Sequence, residues 1–402
     1  MNKNITCCIL AKNEEKNIEK CIESAKILTD DIVIIDNNST DKTFDISKKY
    51  VSRVYRHGET KEPKLRNYFF EYSDRDWIFS LDADERIDSR LANEIDVKVL
   101  NKDLDGFRLP LFNYFGGVRW SSNLTCKLYR NNKKYRYDNY DIHTSIGGSI
   151  INNSKNIGVI SSPLHHLDAL QDKRNQKKRG HYTDNLSKYS LCRDNTRILN
   201  YLAVEYITNR DFRKAEEILK FVIGCSNKDS FLAMLFLGEL YLQEGLSEVA
   251  TEVFLNLISF NVEKECSRIS LAEVNKYDAV IIANDLKQRA YGHLAEIKYL
   301  NGEFEEAIFY IDNALKLCPK GSQFYLSKAS LLYFVQSNKN DIYYNLMQAC
   351  KYNSFLFKLL SMDIPESKNN QYYFQSTVLS SVNSNRFREN IVKRGRYSIY
   401  DL

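Results

Sequence analysis

Trp77-Ile78-Phe79-Ser80-Leu81-Asp82-Ala83-Asp84-Glu85 is a short, mostly apolar run that ends abruptly in three carboxylates. That is the pattern of a buried strand emerging from a sheet. Upstream, Ile5–Leu10 reads as a strand, Ile18–Ala25 as a helix, Asp31–Asp36 as a strand and Thr43–Lys49 as a helix. The alternation is βαβ in order and predicts a Rossmann-like, mostly parallel α/β sheet. In such sheets the ligand site lies outside the carboxyl ends of the strands, where this acidic cluster falls. Carboxylates spaced two apart at a strand end can jointly face a hard divalent cation and a diphosphate. Taken alone, the same triplet also suits a solvated turn.

Three further segments fall at corresponding places. Ile9-Leu10-Ala11-Lys12-Asn13-Glu14-Glu15 closes the first strand, and Ile34-Ile35-Asp36-Asn37-Asn38-Ser39-Thr40-Asp41 closes the second. Leu65-Arg66-Asn67 is expected to begin the helix that precedes the Asp82 strand. In this order the four segments resemble the motifs AxNEE, DxxSTD, xRN and DAD of family 2 glycosyltransferases, whose domain has a GT-A fold. The resemblance spans roughly the first 180 residues.

It implies a nucleotide-diphosphate sugar donor, UDP-sugars foremost, and a Mn²⁺ or Mg²⁺ cofactor. By the same resemblance Ala11 and Glu14 lie near the base and ribose, and Asp36 and Asn37 border the nucleobase pocket. Arg66 contacts the diphosphate, as its permanent charge and planar fork suit. Asp82 faces the ribose or a metal-bound water, and Asp84 ligates the metal, because the departing diphosphate needs its charge neutralised. Asn37 departs from the family, many of whose members carry Asp there. Asp36 and Ser39 equally suit helix capping and turn chemistry.

Further along, Leu111-Phe112-Asn113-Tyr114-Phe115-Gly116-Gly117 and Lys127-Leu128-Tyr129-Arg130 are similar to the NxxxG and RLFR segments of a subset of the family. That subset includes lipopolysaccharide-core glucosyltransferases and glycocin-type peptide S-glycosyltransferases. Tyr114, Trp120 and Tyr129 either stack on a sugar or belong to the core. Where the family often has His-Glu, with the glutamate as general base, this chain reads Tyr140-Asp141-Ile142-His143-Thr144. Thr144 cannot be that base, which leaves Asp141 and His143 as the candidate proton acceptors. Leu164-His165-His166-Leu167 resembles the late histidine that touches metal or diphosphate, with His166 the preferred ligand and His165 its rival. Lys173, Arg174, Lys177, Lys178 and Arg179 either close over the diphosphate or form a solvated helix face.

From about Asn195 the pattern changes to long amphipathic helices with an internal repeat. Leu202, Leu237 and Leu294 each precede Arg210, Gly245 and Gly302 by eight positions, and Ala215, Ala250 and Ala307 follow those by five. The first two copies lie 35 residues apart, close to the ~34-residue tetratricopeptide period. The leucine anchors one helix and the alanine lets its partner pack closely. Tyr325–Phe334 and Ile342–Cys350 read as a further, degenerate pair that caps the array. The expected domains are a GT-A catalytic domain over residues 1–194 and an all-α, tetratricopeptide-like domain over residues 195–402.

Composition limits the function classes. Hydrophobic residues make up 43% and charged residues 27% of the 402 residues, an ordinary globular balance. A net charge of +5, from 57 basic and 52 acidic residues mixed along the chain, gives no reason to expect a nucleic-acid partner. The nine cysteines follow no zinc or disulfide spacing, and the apolar stretch Ile5–Ala11 is too short for a signal core or membrane span. The chain is therefore read as cytoplasmic, with no integral membrane segment. The implied reaction is inverting sugar transfer to an acceptor hydroxyl or thiol. A peptide acceptor leads, modified on Cys or Ser, since helical arrays present grooves suited to peptides. The rival is a saccharide acceptor in lipopolysaccharide or surface-polysaccharide assembly, with the repeats serving to form a homodimer. A third reading is a binding scaffold that has lost activity, as Thr144 would allow.

Overall fold

The computed structural model describes residues 4–58, 61–116, 119–138, 144–153, 156–167, 195–226, 229–260 and 276–356. They divide into an α/β unit and a helical unit. The α/β unit runs β1 (Ile5–Ala11), α1 (Ile18–Leu28), β2 (Ile32–Asp36), α2 (Thr43–Tyr50), β3 (Arg53–Arg56), α3 (Glu62–Asn67), α4 (Phe69–Tyr72) and β4 (Trp77–Asp82). It continues through β5 (Glu85–Arg86), α5 (Ser89–Lys98), β6 (Leu104–Gly116), β7 (Arg119–Arg130), α6 (Gly147–Asn152), β8 (Asn156–Val159) and β9 (Leu164–His166).

The strands form one sheet in the order β3-β2-β1-β4-β7-β6-β9-β5, with β8 beside β6. β3, β2, β1 and β4 are mutually parallel, and β7 joins β4 antiparallel. The sheet is thus mixed and parallel-dominated, as the strand and helix alternation predicts. Period-two alternation explains why both faces of its centre are buried. Ile9, Ile34, Phe79 and Leu81 pack with Ile18, Cys21 and Ile22 of α1 and with Leu91 and Ile95 of α5. Their strand neighbours Cys8, Val33, Ile35 and Ile78 pack instead with Leu65, Phe69 and Phe70 of α3 and α4 and with Ile150 of α6. Each such side chain, fully buried, contributes roughly 1.5–3 kcal/mol.

One expected boundary is wrong. Leu65-Arg66-Asn67 ends α3 instead of beginning a helix, because Pro63 stands in the first turn and starts the helix at Glu62. Proline favours that place, having no N–H to lose and a pre-set φ.

The helical unit contains, among the described residues, α7 (Thr196–Thr208), α8 (Phe212–Gly224), α9 (Ser230–Gln243), α10 (Ser247–Ser259), α11 (Lys276–Leu300), α12 (Phe304–Leu317), α13 (Ser322–Phe334) and α14 (Lys339–Tyr352). The repeat positions have a shared physical basis. Leu202, Leu237 and Leu294 are buried, as are Ala215, Ala250 and Ala307. Arg210, Gly245 and Gly302 all have positive φ, at 59°, 79° and 79°. After each, the next residue's N–H returns to the carbonyl five back: Asp211 to Tyr206 (2.9 Å), Leu246 to Tyr241 (2.8 Å) and Glu303 to Lys298 (2.9 Å). These are Schellman closures, which favour glycine at the left-handed position. Gln336, at φ 53°, makes a fourth before α14, with Ser337 N–H donating to the Leu332 carbonyl at 2.9 Å. No helix among the described residues is long and apolar enough to cross a membrane.

Between α9 and α11 lies a buried polar knot. His293 Nε2 stands 3.1 Å from Glu239 Oε1, Arg289 donates to the same oxygen at 3.3 Å, and Glu296 lies 3.7 Å from His293 Nδ1. Burial disfavours the charged ring, but Glu239 and Glu296 outweigh it and push its pKa up to about 9.

Two measurements test these points. Gly302→Ala meets nothing within 4 Å, so its expected cost of about 1 kcal/mol is purely backbone strain, while Arg210→Gly should gain ~0.5 kcal/mol in urea unfolding. The His293 contribution is complete below the unfolded imidazole pKa of about 6.5 and is lost as pH rises through about 9. Thermal stability of the full chain should therefore drop across that window, and His293→Gln should flatten the drop.

Candidate active site

Strand register brings the motif residues to one edge. Ala11 is paired with Asp36 across β1 and β2, and Leu10 with Asp82 across β1 and β4. Ala11, Asp36 and Asp82 are thus the last residues of three adjacent parallel strands. The acidic turn that follows is braced from beneath by Arg86, a buried guanidinium whose Nη1 donates to the carbonyls of Ala83 (3.0 Å) and Glu85 (2.9 Å).

Asp82 is held between two cations. Arg66 donates from Nη2 to Asp82 Oδ1 at 2.7 Å, from Nη1 to Ser80 at 3.0 Å and from Nε to Glu62 at 2.7 Å. Lys127 Nζ lies 2.9 Å from Asp82 Oδ2 and 2.8 Å from Glu85 Oε1. Glu85 also accepts the Asp82 N–H at 2.9 Å. Burial alone would raise the Asp82 pKa, but Arg66 and Lys127 hold it well below the usual carboxylate range. Glu85, almost wholly buried, is pushed up by burial despite the same ammonium. Lys127 and Arg66 remain charged, since their carboxylate partners outweigh burial. The Tyr137 ring lies beside the Arg66 guanidinium, at 5.8 Å, and its backbone N–H is tied to Asn67 Oδ1 at 2.9 Å.

Asp84 points elsewhere. Its Oδ2 lies 3.6 Å from His166 Nε2, with the two side chains 9% and 24% exposed. The Leu167 N–H donates to the Asp84 carbonyl at 3.0 Å, fixing β9 against the turn. A buried carboxylate and a partly exposed imidazole at this spacing are donors of the right chemistry for one divalent cation. Among the described residues no group of three or more His, Cys, Asp or Glu is placed to hold a metal. His165 faces the interior: it is fully buried, its Nδ1 is 2.7 Å from the Tyr114 hydroxyl, and its Nε2 is 3.5 Å from Asp88. Burial lowers its pKa, against the pull of Asp88.

On the other side of Asp82 the first two motif loops are laced together. Asn13 N–H donates to Ser39 Oγ (2.9 Å), Thr40 N–H to Asn13 Oδ1 (2.8 Å), and Glu14 N–H to Thr43 Oγ1 (2.7 Å). Glu14 is buried and its carboxylate accepts from Asn17 at 2.8 Å. Asp36 is fully buried; its Oδ2 accepts from Ser39 N–H and from Arg56, both at 3.1 Å, while its Oδ1 has no hydrogen-bond partner among the described residues. The Asp36–Ser39 pair is turn chemistry, not a cap, because α2 starts later, with Asp41 accepting from Thr43 N–H. Asn37 is half-buried, and its N–H reaches the Ala11 carbonyl at 2.8 Å.

The structure therefore brings Ala11, Asp36, Asn37, Arg66, Asp82, Asp84 and His166 to one edge of the sheet, with Glu14 in the loop beside it. Tyr114, Trp120 and Tyr129 are all buried, which makes them core. Thr144 donates its hydroxyl to the Asp138 carbonyl at 3.0 Å. Asp141, His143 and the basic group Lys173, Arg174, Lys177, Lys178 and Arg179 lie outside the described residues. Sequence reasoning missed Lys127 and Glu85 as partners of Asp82, and Asn113, whose Oδ1 is 2.7 Å from His166 Nδ1. It also missed Glu62, which stands four before Arg66 once Pro63 is taken as the signal that starts the helix.

Comparison with known proteins identifies the domain. Residues 6–155 match the family described as glycosyl transferase family 2. The chain is similar to an uncharacterized glycosyltransferase, RT0209, of Rickettsia typhi, 25% identical over 219 residues that cover 51% of this chain and 74% of that protein. It is similar to the SPbeta prophage-derived glycosyltransferase SunS of Bacillus subtilis, 39% identical over 83 residues, 20% of each chain. It is also similar to the lipopolysaccharide core biosynthesis glycosyltransferase LpsC of Rhizobium meliloti, 28% identical over 123 residues covering 29% of this chain and 45% of that protein.

Removing the ammonium tests the ion cluster. Lys127→Met should cost about 3 kcal/mol at pH 7, because it leaves two carboxylates facing each other in a buried site. Adding Glu85→Gln should restore part of that in urea unfolding. The loss should shrink as pH falls, since Glu85, already pushed up by burial, takes a proton more readily than an ordinary carboxylate.

Proposed function

Because this chain carries a glycosyl transferase family 2 domain and is a glycosyltransferase, we propose that it transfers a sugar, with inversion, from a nucleotide-diphosphate sugar to a cytoplasmic acceptor. The catalytic domain is assigned to residues 1–194 and the tetratricopeptide-like array to residues 195–402. The observation that carries the reading is the division of labour between two carboxylates at the end of β4. Both oxygens of Asp82 are engaged by Arg66 and Lys127, while Asp84, itself buried, faces the partly exposed His166 at 3.6 Å.

Asp84 and His166 would hold Mn²⁺ or Mg²⁺, which when bound neutralises charge on the departing diphosphate. Two protein donors leave room for phosphate oxygens to complete the shell. Arg66 adds fixed positive charge at the same edge, and Asp82, kept ionised, accepts from the donor's ribose or an ordered water. Ala11, Glu14, Asp36 and Asn37 form the nucleotide side. The unsatisfied Asp36 Oδ1 supports a UDP-sugar, whose uracil carries an N–H of the kind a buried acceptor requires. Asp141 or His143 is proposed as the base that takes the acceptor's proton as it attacks the anomeric carbon opposite the diphosphate.

A peptide side chain, Cys or Ser, is the acceptor the helical array favours, since such arrays present extended concave surfaces. The likeness to LpsC, named for lipopolysaccharide core biosynthesis, favours a saccharide instead, with the array joining two copies.

Calorimetry of UDP with Mn²⁺ should show binding that Asp84→Asn weakens at least about tenfold, and UDP-sugar hydrolysis should fall roughly 10²-fold or more in that variant. Full activity in Asp84→Asn with metal present would remove the metal role. Absence of both turnover and metal-dependent nucleotide binding in the wild type would support the scaffold reading. Mass spectrometry of candidate peptides and oligosaccharides incubated with nucleotide sugars would then separate the two acceptors by which one gains a hexose.

A further inference from the structure

We propose that Asn113 is a positioning residue of the cation site, setting the tautomer of His166 so that the Nε2 lone pair faces Asp84. The proposal rests on the metal reading above and deepens it. Asn113 of β6 and His166 of β9 are paired residues in a parallel ladder, and Asn113 Oδ1 stands 2.7 Å from His166 Nδ1. Which end of the amide faces the ring is fixed by its other contacts. Asn113 Nδ2 is 3.4 Å from the Leu111 carbonyl and 2.8 Å from Asn123 Oδ1. A backbone carbonyl can only accept, so the amide nitrogen lies on that side and the amide oxygen faces the imidazole.

An amide oxygen accepts only, so the proton of the neutral ring sits on Nδ1. Nε2 is then the acceptor nitrogen, and it looks at Asp84 Oδ2 from 3.6 Å. With the ring neutral, two lone-pair donors face each other and repel. Either a second proton on Nε2 or a divalent cation between them relieves this; the cation is the one that also engages the diphosphate of the metal reading. The backbone holds the pair in place from both sides. His166 is paired with Glu85 across β9 and β5, and the Leu167 N–H is bonded to the Asp84 carbonyl at 3.0 Å. With the main chain fixed, ring orientation and tautomer are what remain to be set, and Asn113 sets both. Outer partners of ligating histidines commonly govern metal affinity by about 10–100-fold.

The test begins with the unliganded wild type. Long-range ¹H–¹⁵N NMR of histidine-labelled protein at about pH 8.5, two units above the ordinary imidazole pKa, should show His166 as the Nδ1–H tautomer, its signals assigned by their loss in His166→Gln. Observation of the Nε2–H tautomer overturns the proposal whatever the variants do. Mn²⁺ binding to the UDP complex, followed by electron paramagnetic resonance, should weaken about tenfold or more in Asn113→Leu and be retained in Asn113→Asp, which keeps an acceptor facing Nδ1. Unchanged Mn²⁺ affinity in a folded Asn113→Leu also overturns it. If Asp84→Asn and His166→Gln bind Mn²⁺ as the wild type does, the metal reading itself fails and takes this proposal with it. If those two lose Mn²⁺ while Asn113→Leu does not, only the role of Asn113 is wrong.

Discussion

Asp82 lies between a guanidinium and an ammonium, and most of the donor edge is arranged by that contact. Arg66 arrives from the end of α3, Lys127 from β7, and Asp82 from the end of β4. One carboxylate therefore ties together a helix and two strands distant in sequence. Burying such charges costs several kcal/mol per ion, and packed hydrophobic side chains of similar volume would often be as stable. What the cluster supplies is geometry: a strand end that stays put, followed by a turn that sets Asp84 against His166. Arg86 completes it by holding the turn's carbonyls from below.

The proposed nucleotide side is organised by a different force. Short polar side chains and backbone N–H groups lace the loop after β1 to the loop after β2, through Asn13, Ser39, Thr40 and Thr43. Two residues there, Asn13 and Asn38, have positive φ, which asparagine tolerates better than most side chains. The motif letters in these loops therefore serve folding, beside the recognition proposed for them. Glu14 shows this most clearly, since its carboxylate accepts from Asn17.

Local pattern made the frame legible. Ile32–Ile35 and Trp77–Leu81 are runs that only a strand covered on both faces tolerates, and the carboxylates after them mark the carboxyl edge of the sheet. The repeat was legible through Gly245 and Gly302, because the left-handed helix end that demands glycine is itself local. Arg210 occupied the same conformation without advertising it. Lys127 and Asn113 were not legible as partners. Their contacts span 45 and 53 residues and exist only because the sheet sets β7 beside β4 and β9 beside β6. The misplaced start of α3 came from weighing the motif above Pro63, a local signal that was available. His166 was separable from His165 only by strand alternation, which turns one ring toward Asp84 and the other toward Tyr114.

The helix-closing turns bear on how such a chain can change over time. Each closure is complete within its own few residues, with two backbone hydrogen bonds and one left-handed residue. It asks nothing of the distance to the next one. Material can therefore be added between helix pairs without disturbing the turn inside a pair, as the longer interval between Gly245 and Gly302 illustrates beside the shorter one between Arg210 and Gly245. Variation in length among descendants of this array should accumulate in the connections between pairs, leaving the hairpins themselves at constant size.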